Sequence, residues 1–255
     1  MIPMKEPPAF GCRAYSLGVV AIGIVCLAFG EFDPSQPVPA GFPARAILAY
    51  AAGAFMVAAA GTLMWRRTAA WGAAALTAYY ALLVVLLMNG RLLLTDYATY
   101  VTYENIAMQL AIAAAGLIVF ATTAKIDAVN AARAARLGRL TFGVCALVWG
   151  GAHFVYMNLT APLVPKWLPP GQEFWGYATG IAFIAAGIAI LTGVQARLAA
   201  ILLTAMLASF GLLANGTILL SDPHSHWNWT ESALNLANVG AAWVVADSLS
   251  RRWKS

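Results

Sequence analysis

The stretch Leu198-Ala-Ala-Ile-Leu-Leu-Thr-Ala-Met-Leu-Ala-Ser-Phe-Gly-Leu-Leu-Ala-Asn-Gly-Thr-Ile-Leu-Leu220 contains no charged residue. An α-helix rises about 1.5 Å per residue, so about 20 residues cross a hydrocarbon core of about 30 Å. This segment is long enough to span a bilayer. Residues 46–64, 69–89 and 106–123 are equally free of charge, and 17–30, 140–154, 177–193 and 234–246 extend to spanning length through Ser, Thr, Trp and Tyr flanks. Of the 255 residues, 62% are hydrophobic and 10% charged, whereas water-soluble domains carry about 25% charged residues. The Ala/Leu/Gly-rich blocks lack the alternation of transmembrane strands, so helices are the way their backbone polar groups are satisfied in lipid. The expected fold is all-α and polytopic, with about eight transmembrane helices. The first apolar block has no Ala-x-Ala cleavage site after it and reads as a retained helix.

Eight helices place both termini on one side. All basic residues except Arg45, Arg91 and Lys166 then fall on that side: Lys5, Arg13, Arg66, Arg67, Lys125, Arg133, Arg136, Arg139, Arg197, Arg251, Arg252 and Lys254. The positive-inside rule makes it cytoplasmic, which predicts a multi-pass protein of the cell (inner) membrane with both termini inside. Glu31, Asp33, Asp96, Glu104, Glu173, Asp222 and Glu231 fall outside. The net charge of +5 is thus a topology signal, and no nucleic-acid partner is expected. Cys12, Cys26 and Cys145 form no Cys-x-x-Cys pair and read as small apolar fillers.

The chain repeats itself at a spacing of 126 to 127 residues. Val38-Pro39 matches Val164-Pro165, Tyr50 and Gly53 match Tyr177 and Gly180, and Glu104 matches Glu231. The run from Asn89-Gly90 to Asp96 matches the run from Asn215-Gly216 to Asp222. This predicts two parallel four-helix repeats, 1–124 and 140–255, joined by a cytoplasmic linker, 125–139. The linker is either a plain connection or an amphipathic helix on the inner surface.

In the second repeat, Gly143-Val-Cys-Ala-Leu-Val-Trp-Gly-Gly-Ala-His-Phe154 is followed by Val164-Pro165-Lys166-Trp167-Leu168-Pro169-Pro170 and by Trp175-Gly176-Tyr177-Ala178-Thr179-Gly180. Together with Arg197-Leu198-Ala199-Ala200, these resemble the first three helices of DoxX-like membrane proteins. The resemblance covers about 141 to 220, and the first repeat departs from it, with Gly30-Glu31-Phe32 near the place of Ala152-His153-Phe154. It implies a four-helix membrane unit and associates the chain with quinone-linked redox subunits and with redox-protein partners.

The polar residues near the helix ends are the candidates for function. His153 is expected to face the bundle interior and find a partner there, Glu31 being proposed, as a proton relay or as a structural bond between halves. Asn89 and Asn215 end a helix or line a break in it. Glu104 and Glu231 read as acids at capped helix starts. Trp175 and Trp229 belong to an interfacial belt or wall a pocket for a flat ring such as a quinone. His224 and His226 are a weak metal pair, two apart on a loop. No phosphate loop, nucleophile elbow or zinc-protease motif occurs. Three readings stand: a quinone-linked redox subunit rather than an independent enzyme, a small-molecule carrier, and a membrane scaffold for a partner protein.

Overall fold

In the computed structural model, which describes residues 10–250, the chain forms α1 (Phe10–Phe29), α2 (Arg45–Thr62), α3 (Ala69–Thr95), α4 (Tyr100–Thr123) and α5 (Ala128–Val155). A short α6 (Met157–Leu163), α7 (Gln172–Thr192), α8 (Ala196–Ser221) and α9 (His226–Ser250) follow. The described residues contain no strand. The expected charges at Lys5, Arg251, Arg252 and Lys254 lie outside the described residues.

Six helices are long and apolar enough to cross a membrane: α1, α2, α3, α4, α7 and α8. Taken as one span across its 90° bend, α5 with α6 would make a seventh. Length and apolar composition thus mark six or seven spans, against the eight or so expected. The helix that fails is α9, which carries His226, Asn228, Glu231, Asn235, Asn238 and Asp247. Its polar groups turn inward, with Thr230 and Asn238 buried, and so escape lipid. Trp71, Leu86, Leu94, Leu212 and Leu220 are instead more than half exposed. An apolar outer surface on helices of this length implies association with a lipid bilayer.

Neighbours in sequence are neighbours in space. The order α1, α2, α3, α4, α5, α7, α8, α9 closes into a ring when α9 packs along α1, and α4 meets α9 across the middle. The closing contact is backbone on backbone, since a Cβ on Gly18 would stand 2.3 Å from Ala237 Cα. Small residues in membrane helices allow this approach. Gly53 of α2 packs against Gly23 of α1, and Gly180 and Gly187 of α7 against Gly150 and Gly143 of α5.

Tyr15, Ile22, Met56, Tyr80, Ile112 and Phe142 are the large side chains sealed at the centre. The Tyr15 hydroxyl donates to the Ile112 carbonyl at 3.0 Å, tying α1 to α4. A buried neutral hydrogen bond contributes about 1 kcal/mol. Tyr15→Phe should therefore lower the melting midpoint in detergent by a few degrees without altering the helix content seen by circular dichroism.

Two local expectations change. Residues 128–139 are neither a separate surface helix nor an irregular linker; they are the first turns of α5. The Asp127 carboxylate starts that helix by accepting the Asn130 amide hydrogen at 2.9 Å, which holds its acid below the ordinary value. No proline stands between Ala128 and Leu140, so the helix runs on into the bundle. Asn89-Gly90 and Asn215-Gly216 do not stop their helices, because neither pair takes up a left-handed conformation. Each asparagine closes a π-helical run, Tyr79–Asn89 in α3 and Gly211–Asn215 in α8, after which the α-helix resumes. The glycines that do end helices in a left-handed conformation are Gly30, at φ 65° after α1, and Gly193, at φ 81° after α7.

Candidate functional site

A pocket of about 570 Å³ opens where α4, α5, α7, α8 and α9 converge, with the 156–170 segment at its mouth. Trp149 and His153 of α5, Trp175 and Phe183 of α7, and Phe210 of α8 form an aromatic wall. Phe183 links three of them, its ring 5.8 Å from Trp149, 5.5 Å from His153 and 6.0 Å from Phe210. Such edge and tilted contacts hold the wall in place. Glu104 enters from α4, Asn215 from α8, and Glu231, Asn235 and Asn238 from α9. Among the described residues no lysine or arginine lines the pocket.

The His153 ring has a fixed orientation. Its Nδ1 lies 3.0 Å from the Gly176 carbonyl and 3.3 Å from Thr179 Oγ1. A carbonyl only accepts, so Nδ1 carries the hydrogen and the neutral ring keeps the Nε2 lone pair for another donor. Two further atoms in the lining lack partners. Trp149 is 4% exposed and its Nε1–H is unsatisfied; Asn238 is 4% exposed and its Oδ1 is unsatisfied. Leaving such a group unpaired costs about 1–3 kcal/mol, so a pocket that keeps one unpaired donor and one unpaired acceptor suits a polar guest.

Five of the candidates named from sequence converge here: His153, Glu104, Glu231, Asn215 and Trp175. Glu104 and Glu231 do not cap. They sit beyond the first turn of their helices, half-buried, and both line the pocket where α4 and α9 meet. The other candidates lie elsewhere. Glu31 pairs with Arg45, and His153 with Gly176 and Thr179, so the Glu31–His153 pair does not form. Asn89 is buried beside the 30–44 loop, its amide donating to the carbonyls of Ser35 and Val84 at 3.0 Å. Trp229 is 40% exposed and donates from Nε1 to the Pro223 carbonyl at 2.8 Å. His224 is exposed, while His226 stacks on Phe29 at 4.9 Å. Among the described residues no three His, Cys, Asp or Glu side chains gather to hold a metal.

A larger cavity of about 860 Å³ lies between the 30–44 loop, α2 and α3. Its walls are apolar, including Phe42, Phe55, Leu82 and Leu87, with Arg91 as the charged member. Size alone does not make it the better site, because it offers little to orient a ligand.

Residues 142–246 match a domain of unknown function (DUF8561). No curated protein and no solved structure matches the chain. The DUF8561 match starts inside α5 and ends inside α9. It therefore includes the whole aromatic wall, His153, Asn215 and Glu231, and omits from the lining only Glu104 and Met108 of α4. Trp149, Phe183, Phe210, Asn235 and Asn238 are lining residues not singled out from sequence. Glycine and large aromatic residues at four- to seven-residue spacing in 143–154 and 176–187 were the available signal, and that pattern serves helix packing equally well.

Proposed function

We propose that this chain is a multi-pass membrane protein whose pocket binds a small amphipathic molecule with a flat polar head, a quinone being the chemistry it suits best. The observation carrying this reading is the aromatic wall closed by the unpaired Trp149 Nε1–H and the unpaired Asn238 Oδ1. A quinone head offers two carbonyl acceptors on a planar ring. Trp149 Nε1–H and the Asn235 amide supply donors, and Phe183 and Phe210 supply faces for stacking. Leu163, Val164, Pro165 and Leu168 at the mouth suit an isoprenoid tail. The bound quinone would supply two-electron redox chemistry, and the chain's own residues would bind and orient it.

Radiolabelled short-tail quinone should bind the purified protein saturably in nanodiscs, and Trp149→Phe should weaken it about tenfold, the worth of one hydrogen bond. Binding that never saturates, or is indifferent to Trp149, would sink this reading. The carrier reading draws on a different observation. Leu213, Ala214 and Asn215, from the π-helical run of α8, line the pocket, and such runs are frequent at functional sites.

The same proposal includes the duplication and the topology. The neighbour order α1–α2–α3–α4 has its counterpart in α5–α7–α8–α9, and a two-fold relation between the halves would exchange the α1–α9 and α4–α5 contacts. Arg13, Arg133 and Arg136 lie in the first turns of α1 and α5, Arg66 and Arg67 between α2 and α3, and Arg197 at the start of α8; the positive-inside rule would put that end in the cytoplasm.

A further inference from the structure

We propose that Asp33, together with Gln36, Asn89 and Gln109, forms a second site that holds one water molecule and binds a proton on the Asp33 carboxyl. It lies where the loop between α1 and α2 turns into the bundle against α3 and α4, and it does not depend on which ligand the pocket takes.

The loop brings polar side chains to the inside. Asp33 is 2% exposed, Ser35 5%, and Gln36, Asn89 and Gln109 0%. Ser35 is the hub. Its backbone N–H and hydroxyl donate to Asp33 Oδ1 at 2.8 and 2.6 Å, its hydroxyl accepts from Gln109 Nε2, and its carbonyl accepts from Asn89 Nδ2. Gln109 Nε2 also reaches Asp33 Oδ2 at 3.4 Å, and the Tyr79 hydroxyl donates to Gln36 Oε1 at 3.0 Å. Every member of the cluster is anchored, yet three buried atoms remain unsatisfied: Gln36 Nε2, Asn89 Oδ1 and Gln109 Oε1.

One donor and two acceptors are the complement of a water molecule, which accepts one hydrogen and donates two. Buried waters typically make about three bonds of this kind. A metal ion matches less well, since it would leave the Gln36 amide hydrogen facing a positive charge.

The carboxyl beside this water has no cationic side chain bonded to it; among the described residues the one ion pair is Arg45 with Glu31. An ionised carboxylate buried without a counter-charge is costly, so the group neutralises by taking a proton. Burial raises the Asp33 acid, and the Ser35 and Gln109 hydrogen bonds oppose it without cancelling it. The titratable groups facing it are Cys26 from α1, Tyr79 and Tyr80 from α3, and His226 and Glu231 from α9, with neutral Gln109 from α4. Of these, His226 alone supplies a positive charge, when protonated.

Infrared difference spectra of the full chain in nanodiscs test this. At pH about 6, where an exposed aspartate with its ordinary value of about 3.9 is ionised, a protonated-carboxyl band should persist. It should shift when aspartate is isotope-labelled and vanish in Asp33→Asn. A sharp water band that shifts in heavy-oxygen water should accompany it and be lost in Gln109→Leu. If Asp33→Asn does not fold, the labelled wild type still decides. The absence of any aspartate-labelled band at that pH overturns the proposal. So does a band surviving in Asp33→Asn, a water band indifferent to Gln109→Leu, or loss of the carboxyl band on adding sodium at fixed pH, which would make the site a cation site.

Discussion

Gly240→Leu should destabilise the protein more than any single substitution on its lipid-facing surface, with the melting midpoint in detergent falling by roughly 10 °C. Gly240 lies where α9 crosses α1, and a Cβ there would stand 2.3 Å from Tyr15 N and 2.4 Å from Tyr15 Cα. Carbon atoms in contact sit about 3.5–4.0 Å apart. The obstructing atoms are backbone, which cannot rotate aside, so the helices must separate by about 1 Å. That separation loosens Tyr15, Val19, Ala237 and Ala241, all sealed from solvent and lipid. Overpacking a tight core costs about 1–3 kcal/mol even where side chains can adjust, and here they cannot, so about 3 kcal/mol or more is expected. Gly61→Leu is the control, because nothing lies within 4 Å of a Cβ at that position. Equal midpoints for the Gly240 variant and the wild type would mean that α1 and α9 are not in this contact.

Ala182→Trp should abolish ligand binding, by about 100-fold or more, while leaving the melting midpoint nearly unchanged. Ala182 of α7 lines the 570 Å³ pocket, and an indole there fills space the ligand needs without displacing packed backbone. A loss of 100-fold corresponds to about 2.7 kcal/mol, which excluded volume readily supplies. Ala51→Trp, in the apolar cavity beside α2, should leave binding intact. The labelled-quinone assay reads both. Retention of affinity within a few-fold in Ala182→Trp would show that the ligand binds somewhere else.

The spans were legible because charge-free runs of spanning length have few other stable fates. Asp33 was legible only as an acid on an outer loop. Nothing in Asp33-Pro34-Ser35-Gln36-Pro37 shows that the loop turns inward, since its partners Tyr79, Asn89 and Gln109 are far away in sequence. Glu104 and Glu231 are legible as a recurring pair, but their place at the α4–α9 seam is not. Helix-start chemistry is local and visible, whereas the seam that pairs α4 with α9 is tertiary. The π-helical runs were invisible for the same reason: an extra residue per turn leaves no composition signal in a uniformly apolar stretch. His153 was legible as a polar group in an apolar helix, and such a group needs a partner. The partner is the Gly176 carbonyl, a backbone atom that no side-chain pattern could nominate.

The closure of the helix ring through α1 and α9 has a consequence for connectivity. Phe10 stacks edge-on against Trp243 at 5.5 Å, and the Gly11 N–H donates to Asp247 at 2.9 Å. The two ends of the described chain therefore lie side by side. Fusing them with a short linker and opening the polypeptide at residues 124–127 would give a circular permutant in which every helix keeps both of its flanking partners. Which helix is translated first is then a matter of synthesis order, and the final architecture need not record it.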